Sequence, residues 1–186
     1  MTLLHARTLN ALGLLGCCAI LLVAFGYQLL LGALPCPLCL LQRAGFAASG
    51  FGFALGIRFG PRPSHYGIAI LGALVGAAIA ARQIALHVVP GTGGYGATLF
   101  GLHFYTLTLI AFVALIGAVA VLLLIADTDQ PATPPGQGAG LFGTACLLLF
   151  LGVTLANAVS TAAECGIGLC PDDPTRYEAL DAWLAR

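Results

Sequence analysis

The sequence contains no lysine, and charged residues make up only 8% of its 186 positions. An ordinary globular domain carries about a quarter charged residues, so this chain has too few of them to cover a water-soluble surface. Its formal net charge is zero, which excludes the basic surface that nucleic-acid binding requires. Hydrophobic residues make up 60% of the chain. This composition predicts an integral membrane protein.

Five apolar runs are long enough, or nearly so, to form membrane-spanning helices, each of which needs about 20 residues. They cover residues 9–32, 40–58, 66–88, 103–126 and 140–160. The first run lacks a small-residue cleavage pattern, so we expect a retained helix rather than a signal peptide. The predicted fold is an all-α integral membrane protein with a four-helix transmembrane bundle, a fifth transmembrane helix and a short C-terminal surface helix.

The segments between the runs divide the chain. The stretch after the fourth run holds two aspartates, three prolines and two glycines, which is typical of a solvated linker. The predicted division is 1–126, 127–139 and 140–186. Residues 89–102 are glycine-rich and uncharged and predict a mobile loop. In the tail, Asp173 is the predicted N-cap of the short helix, with Pro174 at its first position.

The arginines predict the orientation, because short loops rich in basic residues tend to stay cytoplasmic. Arg7 places the N-terminus inside, and Arg58 with Arg62 places the 59–65 loop inside. Alternation then puts the 33–39 loop, the 89–102 loop and the tail outside, and the 127–139 linker inside. Because the helix count is odd, the first loop and the tail arrive on the same, non-cytoplasmic side.

Seven cysteines are many for this length. Three of them lie deep in apolar runs and are interpreted as small buried hydrophobes: Cys17, Cys18 and Cys146. The other four form two close pairs outside the apolar centres: Cys36 with Cys39, and Cys165 with Cys170. Paired cysteines at the edges of apolar runs indicate a disulfide-permissive compartment.

The Cys36/Cys39 pair has the spacing of a reversible redox site. A helix N-terminus favours the thiolate, which is the attacking species in disulfide exchange. If a helix starts near Cys39, Arg43 lies one turn away on the same face. Its guanidinium would stabilise a thiolate or bind an anionic or carbonyl oxygen. The alternative for Arg43 is an arginine that snorkels to the headgroups.

Arg82 lies about 9 Å below the predicted outer end of the third helix, at the standard rise of about 1.5 Å per residue. Arg43 lies at a comparable depth on its own helix. Two arginines near one dithiol suggest a site for an oxygen-bearing ligand within the membrane. A lipid-soluble quinone fits, because it accepts the two electrons that forming one disulfide releases. The alternative for Arg82 is phospholipid headgroup binding.

Metal binding and a static disulfide are the alternatives for the cysteine pairs. His87 and His103 flank the outer 89–102 loop, and zinc favours two cysteines with two histidines. A redox- or metal-sensing membrane protein is therefore the alternative function, although prolines on both sides of Cys36 disfavour structural zinc. For the tail pair, the alternative to exchange is a disulfide that staples the tail.

The block after the first helix reads Pro35-Cys36-Pro37-Leu38-Cys39-Leu40-Leu41-Gln42-Arg43. Together with Ala81-Arg82-Gln83 and Pro90, this block resembles the disulfide-bond formation protein B (DsbB) family. The resemblance covers roughly residues 9–126. It implies a bacterial inner-membrane enzyme that reoxidises a periplasmic thioredoxin-fold thiol oxidase (DsbA-like) and passes electrons to a quinone, either ubiquinone or menaquinone.

The resemblance also implies residue roles. Cys36 and Cys39 would be the quinone-facing pair, with Cys39 contacting the quinone. Arg43 would polarise the quinone, and Arg82 with Gln83 would lie beside its ring.

The chain departs from the family pattern in its second cysteine pair. Better-known members carry that pair in the outer loop between the third and fourth helices, and residues 89–102 contain no cysteine. We therefore expect Cys165 and Cys170, which lie in the C-terminal tail, to replace the missing pair from a different segment of the chain. A thiol oxidase of the vitamin K epoxide reductase type is a further alternative, but it would have loop cysteines between early helices, and residues 59–65 supply none.

Overall fold

The computed structural model describes residues 3–89, 91, 93, 94, 96, 98–125, 139–166 and 168–184. The helices are α1 (Leu3–Leu30), α2 (Pro37–Phe59), α3 (Pro63–His87), α4 (Phe104–Ile125), α5 (Gly140–Cys165) and α6 (Glu178–Leu184). The first five are long and apolar enough to cross a membrane. The predicted fold class, an all-α integral membrane protein with a fifth spanning helix and a short C-terminal helix, is confirmed.

Contacts at the helix ends show that successive long helices alternate in direction. At one end, Gln83 near the end of α3 bonds Cys36 at the start of α2, and the Tyr27 ring at the end of α1 lies 4.6 Å from Phe104 at the start of α4. Gln28 bonds Ser160 near the end of α5 at 2.7 Å. Both cysteine pairs therefore lie at this same end of the bundle, which we call the cysteine end.

Helices α2 and α3 pack so closely that only glycine fits at several contacts. A Cβ at Gly52 would lie 2.5 Å from the backbone oxygen of His65, and one at Gly72 would lie 2.7 Å from the backbone nitrogen of Ser49. Small residues let helix backbones approach in this way inside membranes. The close approach brings the first turn of α2 against the last turns of α3, where the site residues lie.

The outer loop between α3 and α4 contains a β-hairpin that the sequence did not predict, while its mobility stays a prediction. Its described part includes two short antiparallel strands, β1 (Thr98–Leu99) and β2 (Leu102–His103). Phe100 and Gly101 form the turn between them, both with positive φ angles of 53° and 79°. This hairpin folds over the cysteine end of the bundle, where Leu99 lines the cavity described below.

The C-terminal helix begins later than predicted. Residues 171–177 are irregular, so a start at Asp173 and Pro174 is wrong, and α6 begins at Glu178. Its start is organised by Arg176, whose Nε lies 3.2 Å from Glu178 and 3.8 Å from Asp181. The large apolar side chains of α6 are exposed, as expected for a surface helix.

Two predictions fall largely outside the described residues. The linker predicted at 127–139 is described only at Ala139, and Pro90 is not described. The division of the chain into three parts stays a prediction.

Candidate functional site

Cys36 and Cys39 occupy the N-terminus of α2. Cys36 is the N-cap, with φ −67° and ψ 162°, and its Sγ accepts a hydrogen bond from the backbone N–H of Cys39 at 3.2 Å. Pro37 stands at the first helical position, where its missing N–H costs no intrahelical bond. Both sulfurs are free thiols. The cap geometry turns the two side chains toward the same neighbour on α3.

That neighbour is Gln83, which is buried. Its Nε2 lies 3.3 Å from the Sγ of Cys36 and 3.6 Å from the Sγ of Cys39. Gln42 donates to the Oε1 of Gln83 at 2.7 Å, which turns the amide so that its NH₂ faces the sulfurs. A donor held against both sulfur atoms favours negative charge on this pair.

A cavity of about 370 Å³ opens beside the pair. This volume is within the range of small-molecule sites, roughly 300–1,000 Å³. Its walls are mainly apolar and come from α1 to α4, the 33–35 loop and the hairpin. Its polar lining includes Cys39, Gln42, Arg43, Gln83 and Thr108. An apolar chamber with a few converging donors suits an apolar ligand that carries oxygen atoms.

Arg43 is held by acceptors from α1 and α5. Its Nη1 donates to Gln28 at 2.7 Å and to Asn157 at 3.3 Å, and its Nη2 donates to the backbone oxygen of Ala24 at 2.9 Å. A guanidinium has five N–H groups, so two of them have no hydrogen-bond partner among the described residues, and Arg43 lines the cavity. Arg43 therefore does not snorkel away from the bundle.

Arg82 points elsewhere. It is exposed on the bundle surface, and it is not among the residues that line the cavity. The structure thus brings Cys36, Cys39, Arg43 and Gln83 together but does not bring Arg82 to them. Its position resembles that of a headgroup-level arginine, the alternative that the sequence left open.

His87 and His103, the candidate zinc ligands, form a stack around Tyr105. The Tyr105 ring centroid lies 5.4 Å from that of His87 and 5.1 Å from that of His103. Tyr105 also lines the cavity. Within the described chain no group of three or more histidine, cysteine or acidic side chains could hold a metal. The two histidines therefore fix the cavity wall rather than join the thiols.

The tail pair is a disulfide between Cys165, the last residue of α5, and Cys170. Gly166, with φ 62°, ends α5 and lets the chain turn back. No hydrogen bond joins this pair to Cys36 or Cys39 in the described chain. The two pairs share one end of the bundle without direct bonding.

Several polar residues of the site were missed by sequence reasoning: Gln28, Gln42, Asn157, Ser160 and Glu164. Each lies in one of the spanning helices. Polar and ionisable residues inside spanning segments are rare and tend to be functional, and this signal could have found them. Which of them face Arg43 could not be read from the chain alone.

A dithiol beside an apolar cavity, inside a bundle of helices long enough to span a membrane, is typical of membrane proteins that carry out thiol redox chemistry. Comparison with known proteins shows what the first half of the chain is similar to. Residues 6–94 match the family model described as Disulfide bond formation protein DsbB. This matched segment holds Cys36, Cys39, Arg43 and Gln83.

Curated relatives named Disulfide bond formation protein B are similar to the same region. The one from Xanthomonas euvesicatoria pv. vesicatoria is 43% identical over 84 residues, covering 42% of this chain and 49% of the relative. The one from Marinobacter nauticus is 39% identical over 89 residues, covering 46% and 53%. The chain thus spans about half the length of the curated relatives it matches. No solved structure matches the chain.

The electrostatics of the pair make a pH prediction. The hydrogen bond with the Cys39 side chain and burial raise the pKa of Cys36, against the opposing effects of the Cys39 N–H and Gln83. A raised pKa keeps Cys36 a thiol up to higher pH, so its alkylation in the reduced protein should rise only at alkaline pH. Cys39→Ala removes the hydrogen bond between the two side chains, so the alkylation profile of Cys36 should move to lower pH. At any pH below the pKa of Cys36, lowering that pKa by about one unit raises the thiolate fraction of Cys36 about tenfold.

The measurement is the rate of iodoacetamide alkylation at Cys36, followed by mass spectrometry of its peptide from near-neutral to alkaline pH. Cys18→Ala, which changes a buried thiol of α1 outside the cavity, is the control and should leave the profile unchanged. An unchanged or upward-shifted profile in Cys39→Ala would contradict the prediction.

Proposed function

We propose that the protein is a membrane thiol:quinone oxidoreductase that generates disulfides. It reoxidises a periplasmic thioredoxin-fold thiol oxidase, resembling DsbA, and passes two electrons to ubiquinone or menaquinone. Similarity of residues 6–94 to the DsbB family supports the disulfide-forming role. The observation that carries the quinone proposal is the apolar cavity in which Cys39, Arg43 and Gln83 converge.

The residues present fit a quinone. The cavity is apolar over most of its wall and has room for a substituted ring. Arg43 keeps two N–H groups for a carbonyl oxygen. A bound quinone would supply a two-electron acceptor to the adjacent Cys39 sulfur.

The chain's own residues perform the thiol chemistry. Gln83, fixed by Gln42, stabilises negative charge on the two sulfurs. Cys36 and Cys39 stand at i and i+3 of one helix start, so they can close a disulfide without moving α2. Closing that bond releases two electrons and two protons.

The tail pair is proposed as the electron entry point. A partner thiolate attacks the Cys165–Cys170 disulfide and forms a mixed disulfide. The second thiol of the partner then attacks this mixed disulfide, so that the partner leaves with its own disulfide closed and the tail pair is reduced. The released tail dithiol then reduces a Cys36–Cys39 disulfide by exchange. The position of both pairs at the cysteine end supports this order. The alternative, a tail disulfide that only staples the chain, is decided by the experiment below.

The proposed location is the bacterial inner membrane, with the N-terminus in the cytoplasm and the cysteine end in the periplasm. The arginine distribution supports this orientation, because Arg58 and Arg62 lie at the opposite end of the bundle. A bacterial periplasm is kept oxidising by such relays.

The alternative of a metal-sensing protein is not favoured. Its proposed ligands His87 and His103 stack on Tyr105. Zinc at one equivalent in protein purified without chelator would revive it.

Quinone-dependent turnover tests the reaction. Purified protein should oxidise a reduced thioredoxin-fold oxidase while a short-chain quinone is reduced. Cys36→Ser and Cys39→Ser should each abolish turnover. Arg43→Leu should lower kcat/KM about 10- to 100-fold, since a hydrogen bond to a charged group is worth about 1.5–3 kcal/mol. Full turnover in Cys36→Ser would refute the mechanism.

Arg82→Leu is the matched comparison for Arg43→Leu in that assay. An equal loss in both variants would restore the predicted two-arginine site. A much smaller loss in Arg82→Leu would assign it to the headgroup region.

The tail double variant Cys165→Ala/Cys170→Ala separates relay from staple. A relay predicts that partner oxidation is lost while chemically reduced Cys36 and Cys39 still reduce quinone in a single turnover. Stopped-flow absorbance of the quinone measures the second reaction. Unchanged partner oxidation in the double variant would assign the tail disulfide a stapling role only.

Thiol labelling tests the orientation. After mild reduction of intact cells, a membrane-impermeant maleimide should label Cys165 and Cys170. Ser64→Cys, an exposed position at the opposite end of the bundle, should be labelled only after the cells are broken. The reverse pattern would invert the proposed topology.

A further inference from the structure

A polar cluster with two buried members, Gln28 and Glu164, lies next to Arg43 and outside the cavity lining. It consists of Gln28 from α1, Ser160 and Glu164 from α5, and Tyr177 from the tail. The Nε2 of Gln28 lies 2.7 Å from the Ser160 hydroxyl, 3.1 Å from the Tyr177 hydroxyl and 3.4 Å from Oε2 of Glu164. We call these four residues the Gln28 cluster.

The orientation of the Gln28 amide decides whether Arg43 has an acceptor. Arg43 can only donate, so Oε1 of Gln28 must face it, as it does at 2.7 Å. An ionised carboxylate can only accept, so it favours the orientation in which Nε2 faces Glu164, 3.4 Å away. A flipped amide would set NH₂ against the guanidinium and oxygen against the carboxylate. The Ser160 and Tyr177 hydroxyls lie nearer to Nε2 but can donate or accept, so within the cluster the charge of Glu164 favours one orientation.

Glu164 is otherwise unexplained. Its side chain is 0% exposed, and its Oε1 has no hydrogen-bond partner within the described chain. Its only described bond is the one from Gln28, and it forms no direct ion pair with Arg43 among the described residues. A buried acidic side chain in a spanning helix is costly. Its opposite charge to Arg43 acts across the amide of Gln28.

We propose that Glu164 is a positioning residue for the cavity: through Gln28 it holds the Arg43 guanidinium in the orientation that leaves donors free for the ligand. Its effect on turnover rests on the proposed quinone reaction, but its effect on Arg43 does not. Helix α5 lies beyond residues 6–94, which match the DsbB family. The fifth helix thus contributes to the site itself, besides carrying the tail cysteines.

The first experiment observes Arg43 without any quinone. Protein labelled with ¹⁵N-arginine is studied by NMR in detergent, and the Arg43 signals are identified by their loss in Arg43→Lys. A guanidinium held by three hydrogen bonds should give separate, slowly exchanging Nη signals. Glu164→Leu should merge them by freeing rotation, whereas Glu164→Gln, whose amide oxygen can still accept from Gln28, should keep them separate.

The second experiment measures quinone kinetics with the same variants. Glu164→Leu should raise KM for a short-chain quinone about tenfold, the size expected for a lost hydrogen bond to a charged group, with kcat within about threefold of wild type. Glu164→Gln should restore KM to within about threefold. A purely structural role for Glu164 would lower the amount of folded protein without this split between KM and kcat.

A shorter acid covers the case in which leucine at position 164 prevents folding. Glu164→Asp keeps the carboxylate but withdraws it by one methylene group from the Gln28 amide, so it should raise KM and partly merge the Arg43 signals. Folded Glu164→Asp protein with wild-type KM and wild-type Arg43 signals would overturn the proposal.

The two readouts separate the two proposals. Unchanged Arg43 signals in Glu164→Leu, with unchanged KM, would overturn the positioning role and leave the quinone reaction standing. Wild-type protein that reduces no quinone would overturn the proposed function, while the NMR result would still decide the positioning role.

Discussion

The structure of the cysteine end depends on the need to satisfy one half-buried guanidinium. Arg43 lies within a helix long enough to span a membrane, where no bulk water replaces a missing acceptor. Its three hydrogen bonds draw α1 and α5 around α2, through Gln28, Asn157 and the backbone of Ala24. The same side chain lines the cavity. A charge that is costly in the membrane thereby fixes both the helix arrangement and the polarity of the site.

The thiols depend on a second constraint, the close approach of α2 and α3. Glycines at this interface let the backbones come near enough for Gln83 to reach both Cys36 and Cys39. An added Cβ at Gly45 would lie 2.9 Å from the Cα of Gly76, so a side chain there would push the two helices apart in the half of the interface nearer the thiols. Packing deep in the bundle therefore sets the electrostatics of the pair at its end.

The family match and the structure divide the chain at different places. Residues 6–94 match DsbB, and they hold the dithiol and Arg43. The cavity continues into α4 and the hairpin, and the support of Arg43 continues into α5. The second half of the chain is therefore part of the same site. The five long helices of the described chain also bring a second cysteine pair, Cys165 with Cys170, to that end.

The sequence by itself determined the membrane class, the five long apolar helices, the two cysteine pairs and the position of Arg43 one turn from Cys39, because composition and spacing within one helix are local properties. It misplaced the start of α6, since Asp173 and Pro174 have the local chemistry of a helix start while Arg176 organises the later one. Only the tertiary structure decided that Arg82 faces outward and that Glu164 lies near Arg43. These depend on helix rotation and on contacts between distant segments, which packing sets and no local pattern encodes.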